Sequence, residues 1–207
     1  MYQKYIKRIC DVCTAAVALL LLAFPMAIVA VITKIDSPGP VLFKQTRSGT
    51  CRKPFVILKF RSMPTSTPAD LPTDQFCGAD QLTRWQRLIR RTSLDELPQL
   101  LNVLMGHMSI IGPRPALENQ TELLRARDAC GANDVRPGLT GWAQINGRDT
   151  LSDVEKARLD GEYVRTLGNG RFRGLLMDLR CFFGTFSVVL RSNGFSEGGP
   201  HSSESND

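Results

Sequence analysis

The sequence predicts a mainly α-helical chain built around one small β-hairpin, with an apolar helix at its N-terminus. Three observations carry that fold class. Val12 to Thr33 is strongly apolar and nearly free of charge. Two runs of strand formers, Val41-Leu42-Phe43 and Pro54-Phe55-Val56-Ile57-Leu58, lie on either side of Ser48-Gly49-Thr50. Beyond Thr83 the apolar residues recur at helical rather than alternating spacing. The length, 207 residues, fits one domain with an appendage. The expected division is a membrane helix over 1–36, a compact domain over 37–191 and a polar tail over 192–207.

The N-terminal run is long enough to cross a bilayer as a helix. Lys4, Lys7 and Arg8 precede it, and Lys34, Lys44, Arg47, Arg52 and Lys53 follow it. Positive charge at both ends selects neither end as the outside. Pro25, near its middle, removes one helical hydrogen bond and favours a bend or break at Phe24-Pro25. Crossing and re-entry are therefore both open on the physics of this segment alone. A cleaved signal peptide fits poorly, because the apolar run is long and has no small-x-small cleavage site.

Charge and cysteine usage narrow the class further. The formal net charge of +6 favours anionic partners: a membrane surface, nucleic acid or phosphorylated small molecules. Of the six cysteines only Cys10 and Cys13 are close, and no second pair answers them. They read as packing residues in a reducing compartment rather than as a disulfide or zinc framework.

Ser37-Pro38-Gly39-Pro40 ends the apolar segment in a rigid turn. The two strands after it form the hairpin, and the second ends in Lys59-Phe60-Arg61-Ser62-Met63, bringing two cations to its edge. Pro64 to Asp80, rich in Pro, Thr and Asp, reads as a loop. Thr83 to Arg91 is a basic amphipathic helix with Trp85, Leu88 and Ile89 on one side, suited to a lipid interface or to the protein's own core. Asp95 to Met105 is the next helix, apolar at Leu97, Leu100, Leu101 and Leu104. Ser152 and Glu155 form a capping box for a helix running to about Thr166. Gly174 to Leu190 is the last helix, lying on the core or on the membrane.

The chemistry concentrates at Ser93-Leu94-Asp95-Glu96-Leu97-Pro98-Gln99. Two adjacent carboxylates stand just after Arg90 and Arg91 and ahead of the basic turn Gly112-Pro113-Arg114-Pro115. Ser93 and Glu96 have the spacing of a capping box, and Pro98 fits the first helical turn. Acids at a helix start are commonly dipole complements only, contributing about 0.3–1 kcal/mol each. The surrounding arginines argue for more. A carboxylate can attack phosphorus to give an acyl phosphate. Magnesium takes one or two carboxylates together with substrate phosphates. An arginine fork matches phosphate oxygens, and Arg114 is held between two prolines.

Several ordered blocks then resemble one family. They are Asp36-Ser37-Pro38-Gly39-Pro40-Val41-Leu42-Phe43-Lys44-Gln45, Lys59-Phe60-Arg61-Ser62-Met63, Ser93 to Gln99, Met108 to Pro115, and Arg136-Pro137-Gly138-Leu139-Thr140-Gly141-Trp142-Ala143-Gln144 with Asn146-Gly147-Arg148. From about Lys7 to Leu190 the chain resembles the bacterial sugar transferases, the small monotopic phosphoglycosyl transferases. The resemblance implies transfer of a phosphosugar from a UDP-sugar to undecaprenyl phosphate with release of UMP, through a covalent, magnesium-dependent route. It makes Asp95 the nucleophile, with Glu96 beside it at the metal site. Arg114 becomes a substrate-phosphate ligand, and Arg91, Lys59, Arg61 and Arg148 further phosphate contacts.

The same resemblance implies a helix that re-enters at Phe24-Pro25, interfacial amphipathic helices, and residence on the cytoplasmic face of the inner membrane. The partners implied are the UDP-sugar, undecaprenyl phosphate and membrane lipid, with no nucleic acid. The motifs select neither one UDP-sugar nor an oligomeric state. Two positions depart from the family pattern. Phe24 stands where related chains often have serine, and His107 where an acid is expected; imidazole suits magnesium poorly. The rival readings are a membrane-bound nucleotide-sugar hydrolase and a non-catalytic scaffold that binds polyprenyl phosphate.

Overall fold

The computed structural model describes residues 2–67, 82–147 and 150–191. Most of the expected loop over 64–80, the tail over 192–207 and Arg148 lie outside the described residues. A π-helical turn, Tyr2–Ile6, leads into α1, which spans Lys7–Asp36. The helix continues through Phe24-Pro25, with Pro25 inside it, so the sequence-expected break does not interrupt it. Proline removes a single i→i−4 donor, and the turns on either side keep their own bonds.

Two apolar stripes run along α1. Ala15, Ala18, Leu19 and Leu22 pack on the main core, and Met26, Val29 and Ala30 on a second cluster with Phe60 and Ile89. The outer stripe, Val17, Leu20, Leu21, Phe24, Ile28 and Val31, is exposed, Phe24 to 76%. Both ends of the helix are fastened to the same body. Near the start, Lys7 donates to Asp178 at 2.9 Å, and Arg8 donates to the carbonyls of Val103 at 2.7 Å and Leu104 at 3.0 Å. Asp11 accepts from the Ile110 N–H. Near the finish, Trp85 donates to Thr33 Oγ1, and Thr83 donates to Asp36 at 2.8 Å.

The hairpin is longer than the sequence reading. β1 (Leu42–Ser48) and β2 (Pro54–Phe60) pair antiparallel from Leu42↔Phe60 to Ser48↔Pro54. Phe55 and Ile57 turn from β2 into the core beneath α3 (Gln99–Met105). The outer edge of β2 is closed by a side chain. Asn102, fully buried in α3, donates to the Val56 carbonyl at 2.7 Å and accepts from the Leu58 N–H at 3.0 Å. It satisfies two edge groups that would otherwise be buried unpaired.

α2 (Arg84–Arg91) begins with a reciprocal cap. Thr83 Oγ1 accepts from the Gln86 N–H, and Gln86 Oε1 accepts from the Thr83 N–H. Trp85 and Ile89 pack on α1, so this apolar side serves the protein's own core, while Leu88 stays exposed.

A second sheet escaped the sequence reading. β3 (Ser109–Ile111) and β4 (Gly138–Thr140) pair parallel, Ser109 opposite Gly138 and Ile111 opposite Thr140. At three residues each they show no alternation to detect. Gly138 is needed there, because a Cβ would stand 2.1 Å from the Gly112 nitrogen. α4 (Thr121–Ala129), also unpredicted, packs on α6 (Asp153–Gly168), with the short α5 (Trp142–Ile145) between β4 and α6. The expected capping box of α6 is formed: Ser152 Oγ accepts from the Glu155 N–H, and Glu155 accepts from the Ser152 N–H.

α7 (Arg171–Arg191) packs against α5, α6 and the N-terminal turn. Its Asp178 is buried under three donors, Tyr2 at 2.6 Å, Lys7 at 2.9 Å and Tyr163 at 2.8 Å. Phe172, Leu176, Phe183 and Phe186 face outward.

Candidate active site

Four elements converge on the acidic pair. Asp95 and Glu96 sit on the single 3-10 turn Leu94–Glu96, just before α3. β2 supplies Lys59 from its last turn of pleat and Ser62 from just beyond it. α2 brings Arg90 near, and the turn after β3 brings Arg114. Both carboxylates are buried, each 8% exposed.

The two acids are held differently. Glu96 Oε1 accepts from Lys59 Nζ at 3.0 Å and from Arg114 Nη2 at 2.6 Å, and Arg114 Nη1 approaches Oε2 at 3.4 Å. It is therefore clamped between two cations. Asp95 Oδ2 accepts a neutral bond from Ser62 Oγ at 3.1 Å. Asp95 is thus held by a neutral donor and Glu96 by two charged ones.

Burial sets the proton affinities. Loss of solvent raises the Asp95 pKa above the ordinary carboxylate value, and the Glu96 charge adds to it; Lys59, Arg90 and the Ser62 bond pull the other way without cancelling it. Burial likewise lowers the Lys59 pKa, opposed chiefly by Glu96. A desolvated, more basic carboxylate is a better nucleophile than a solvated one. Two carboxylates face Lys59, Arg90 and Arg114, so the cluster carries an excess of positive charge that an incoming phosphate would meet.

The capping box expected at Ser93 is not formed. Ser93 is left-handed, with φ 56°, and its side chain makes no cap bond. Glu96 finds a lysine and an arginine instead, and charge-assisted bonds outcompete a neutral N–H. A serine in that conformation is mildly unfavourable, and such residues cluster at functional sites.

The other expected phosphate contacts divide. Lys59 and Arg114 reach the dyad through Glu96. Arg61 is turned to the end of α1, where Nη2 donates to Ser37 O at 2.5 Å, Ser37 Oγ at 2.9 Å and Thr33 O at 3.3 Å. The guanidinium closes the helix C-terminus, where the last carbonyls lack partners, and the structure does not bring it to the dyad. Arg91 is exposed at the end of α2, and its buried neighbour Arg90 acts, after Lys59, on the Asp95 carboxyl.

Sequence reasoning gave neither Ser62 nor Arg90 a role at the dyad, although it placed Arg90 beside it. Arg90 had a signal, since it shares a helical side with Gln86 and Ile89, which are also buried. Ser62 had none, because the strand period ends at Phe60. His107 lies exposed beyond α3 with its ring 5.9 Å from that of Phe55. Among the described residues no group of three or more His, Cys, Asp or Glu side chains could hold a metal.

Comparison with known proteins now identifies the relatives. The chain is 42% identical over 170 residues to the UDP-glucose:undecaprenyl-phosphate glucose-1-phosphate transferase of Escherichia coli, covering 79% of this chain and 37% of that protein. It is 42% identical over 199 residues to the sugar transferase EpsL of Bacillus subtilis, covering 93% and 91%. It is 41% identical over 207 residues to the exopolysaccharide production protein PSS of Rhizobium leguminosarum, covering 92% and 98%. The bacterial sugar transferase family model matches residues 2–192. With that match laid over the dyad and its cations, the chain belongs to the bacterial sugar transferase family.

Proposed function

We propose that this protein transfers a sugar-1-phosphate from a UDP-sugar to undecaprenyl phosphate, with Asp95 as a covalent nucleophile. The observation that carries the reading is the division of labour in the dyad: Glu96 is tied to the cations Lys59 and Arg114, and Asp95 accepts from the neutral hydroxyl of Ser62. In the first half-reaction an Asp95 oxygen attacks the β-phosphorus. The bond from that phosphorus to the bridging oxygen breaks, and the oxygen leaves with the α-phosphate as UMP. In the second, a phosphate oxygen of the polyprenyl acceptor attacks the same phosphorus and frees the carboxylate. The product is a polyprenyl diphosphosugar.

Lys59 and Arg114 fix Glu96 and stand ready for phosphate oxygens, with Arg114 offering a planar fork. Asp95 and Glu96 fit a magnesium ion in donor type, since two hard carboxylate oxygens plus substrate phosphates match what it takes. When bound, the ion would neutralise diphosphate charge. The names of the relatives support the acceptor and the donor class.

Among the described residues one helix, Lys7–Asp36, is long and apolar enough to cross a membrane. Attachment of both its ends to one domain supports a monotopic seat, with both ends on the cytoplasmic face of the inner membrane. There a soluble UDP-sugar and a headgroup-level phosphate are both within reach.

The test is UMP release by the purified chain with UDP-sugars and undecaprenyl phosphate in nanodiscs. UDP-glucose, the donor in the name of the Escherichia coli relative, comes first. Release that requires the lipid supports the proposal. Equal release without lipid would make the protein a nucleotide-sugar hydrolase, and no turnover with any donor would make it a scaffold.

A further inference from the structure

The turn that carries Arg114 has an unusual support. Pro113 and Pro115 have no N–H, so this run of backbone can be held mainly through its carbonyls. Each of four successive carbonyls has a donor. Gly138 N–H donates to Pro113 O at 2.8 Å, and Ser48 N–H donates to Ala116 O at 2.9 Å. The middle two are taken by arginine side chains: Arg127 Nη1 donates to Arg114 O at 2.8 Å, and Arg47 Nη1 to Pro115 O at 3.2 Å.

Arg127 is itself fixed from the far side. It projects from α4 with its side chain 4% exposed and meets Asp160 of α6, whose side chain is 1% exposed. Nε and Nη2 donate to the same oxygen, Asp160 Oδ2, at 2.8 and 2.7 Å. The other oxygen, Oδ1, is buried without a partner. A buried ion pair with an unsatisfied oxygen is a poor device for stability, and well-packed apolar residues often serve as well or better. What such residues could not supply is the third bond, to the Arg114 carbonyl.

We propose that Arg127, oriented by Asp160, is a positioning residue that aims the Arg114 guanidinium at the donor's phosphate. The inference rests on the transferase reading for the identity of that phosphate. It extends the site by two residues that lie outside the dyad and its cations. A clamp displaced by a fraction of an ångström loses much of its effect, because arginine recognition is directional.

The test is a thermodynamic cycle on UDP affinity, measured by calorimetry on the full chain in nanodiscs. UDP carries both phosphates and no sugar to transfer. Arg127→Ala alone would strand the buried Asp160 charge and risk the fold, so the paired change Arg127→Met with Asp160→Leu is used. It keeps packing and removes the donor to Arg114 O. The expected result is UDP binding weakened about tenfold, with KM for the UDP-sugar raised more than kcat is lowered. Arg114→Ala should weaken UDP by a similar factor, and the combined variant should bind no worse than Arg114→Ala alone, the mark of residues acting through one another.

Additive losses in the combined variant, or unchanged UDP affinity in a folded paired variant, would overturn the proposal. Arg127→Lys keeps the charge against Asp160 but gives up the fork. It should show the same pattern with a smaller shift, and it decides the matter if the paired variant does not fold. Wild-type protein that binds UDP but releases no UMP would refute the transferase reading while leaving the UDP cycle to judge Arg127.

Discussion

Replacing Asp95 by asparagine tests the chemistry and the electrostatics together, because the two arguments predict opposite signs. The amide has nearly the carboxylate's shape and can still accept from Ser62, 3.1 Å away in the wild type. It cannot form the phosphosugar ester, so transfer should fall by at least about 10³-fold. Stability should rise. Asp95 is buried, its pKa is raised first by desolvation and then by Glu96, and the nearby cations do not offset this.

A raised folded-state pKa means that the native protein binds more protons than the unfolded chain over the window above the ordinary carboxylate value. Stability therefore declines as pH rises through that window, and the penalty is fully present above the folded-state pKa. Asparagine carries no such penalty. Removing an active-site conflict typically gains about 1 kcal/mol, which for a chain of 207 residues is about 2–4 °C in Tm. The advantage of Asp95→Asn should be greatest at the top of the pH range and vanish near pH 4. Melting curves in nanodiscs across pH, with UMP release and intact-protein mass after exposure to UDP-sugar, give the three readouts. A folded variant with wild-type transfer would refute the covalent route. A variant less stable than wild type above the window would refute the desolvation account.

Glu96→Gln should destabilise the fold, since it strands Lys59 and Arg114 at a part-buried site; a loss of about 3 kcal/mol in chemical denaturation is expected, and an unchanged midpoint would contradict the clamp. Arg61→Ala should leave the KM for UDP-sugar within about twofold and lower Tm, whereas a KM increase comparable to that of Arg114→Ala would restore Arg61 to the phosphate site. Asn102→Leu should cost about 2–4 kcal/mol, because it leaves two edge groups of β2 unpaired, and hydrogen exchange at Leu58 would report it directly. Cysteines introduced at Gln3 and Lys44 in a cysteine-free background should both be labelled from the cytoplasmic side; labelling from opposite faces would make α1 a span.

The parts legible in the sequence are those with local rules. Ser152 and Glu155 share a turn, and their spacing became the expected cap. Ser93 and Glu96 have the same spacing, yet Lys59 is 37 residues away and Arg114 is 18 away, and no local pattern announces that they will claim the glutamate. The hairpin followed from its strand formers, although its register extended to Ser48 and Phe60. β3 and β4 were too short to show a period, and their pairing depends on Gly138 lying close to Gly112. Asp95, Glu96, Lys59 and Arg114 were singled out because phosphate chemistry calls for these residue types, and the structure gathers them in one place. Arg61 was singled out for the same reason, but the strand ends before it and its guanidinium lies on the open carbonyls of α1.

The double fastening of α1 makes this helix a gauge rather than a tether. An anchor joined to its domain at one end tolerates changes in length, because the free end simply moves. Here Lys7, Arg8 and Asp11 are registered to one part of the body, and Thr33 and Asp36 to another. One residue inserted between them would advance the helix by about 1.5 Å and rotate it by about 100°. One set of bonds would then have to fail, or the outer apolar stripe would turn inward. The length of the apolar segment is thus matched to the domain as much as to the lipid. Natural variants should conserve the spacing from Asp11 to Thr33 more strictly than the apolar residues between them.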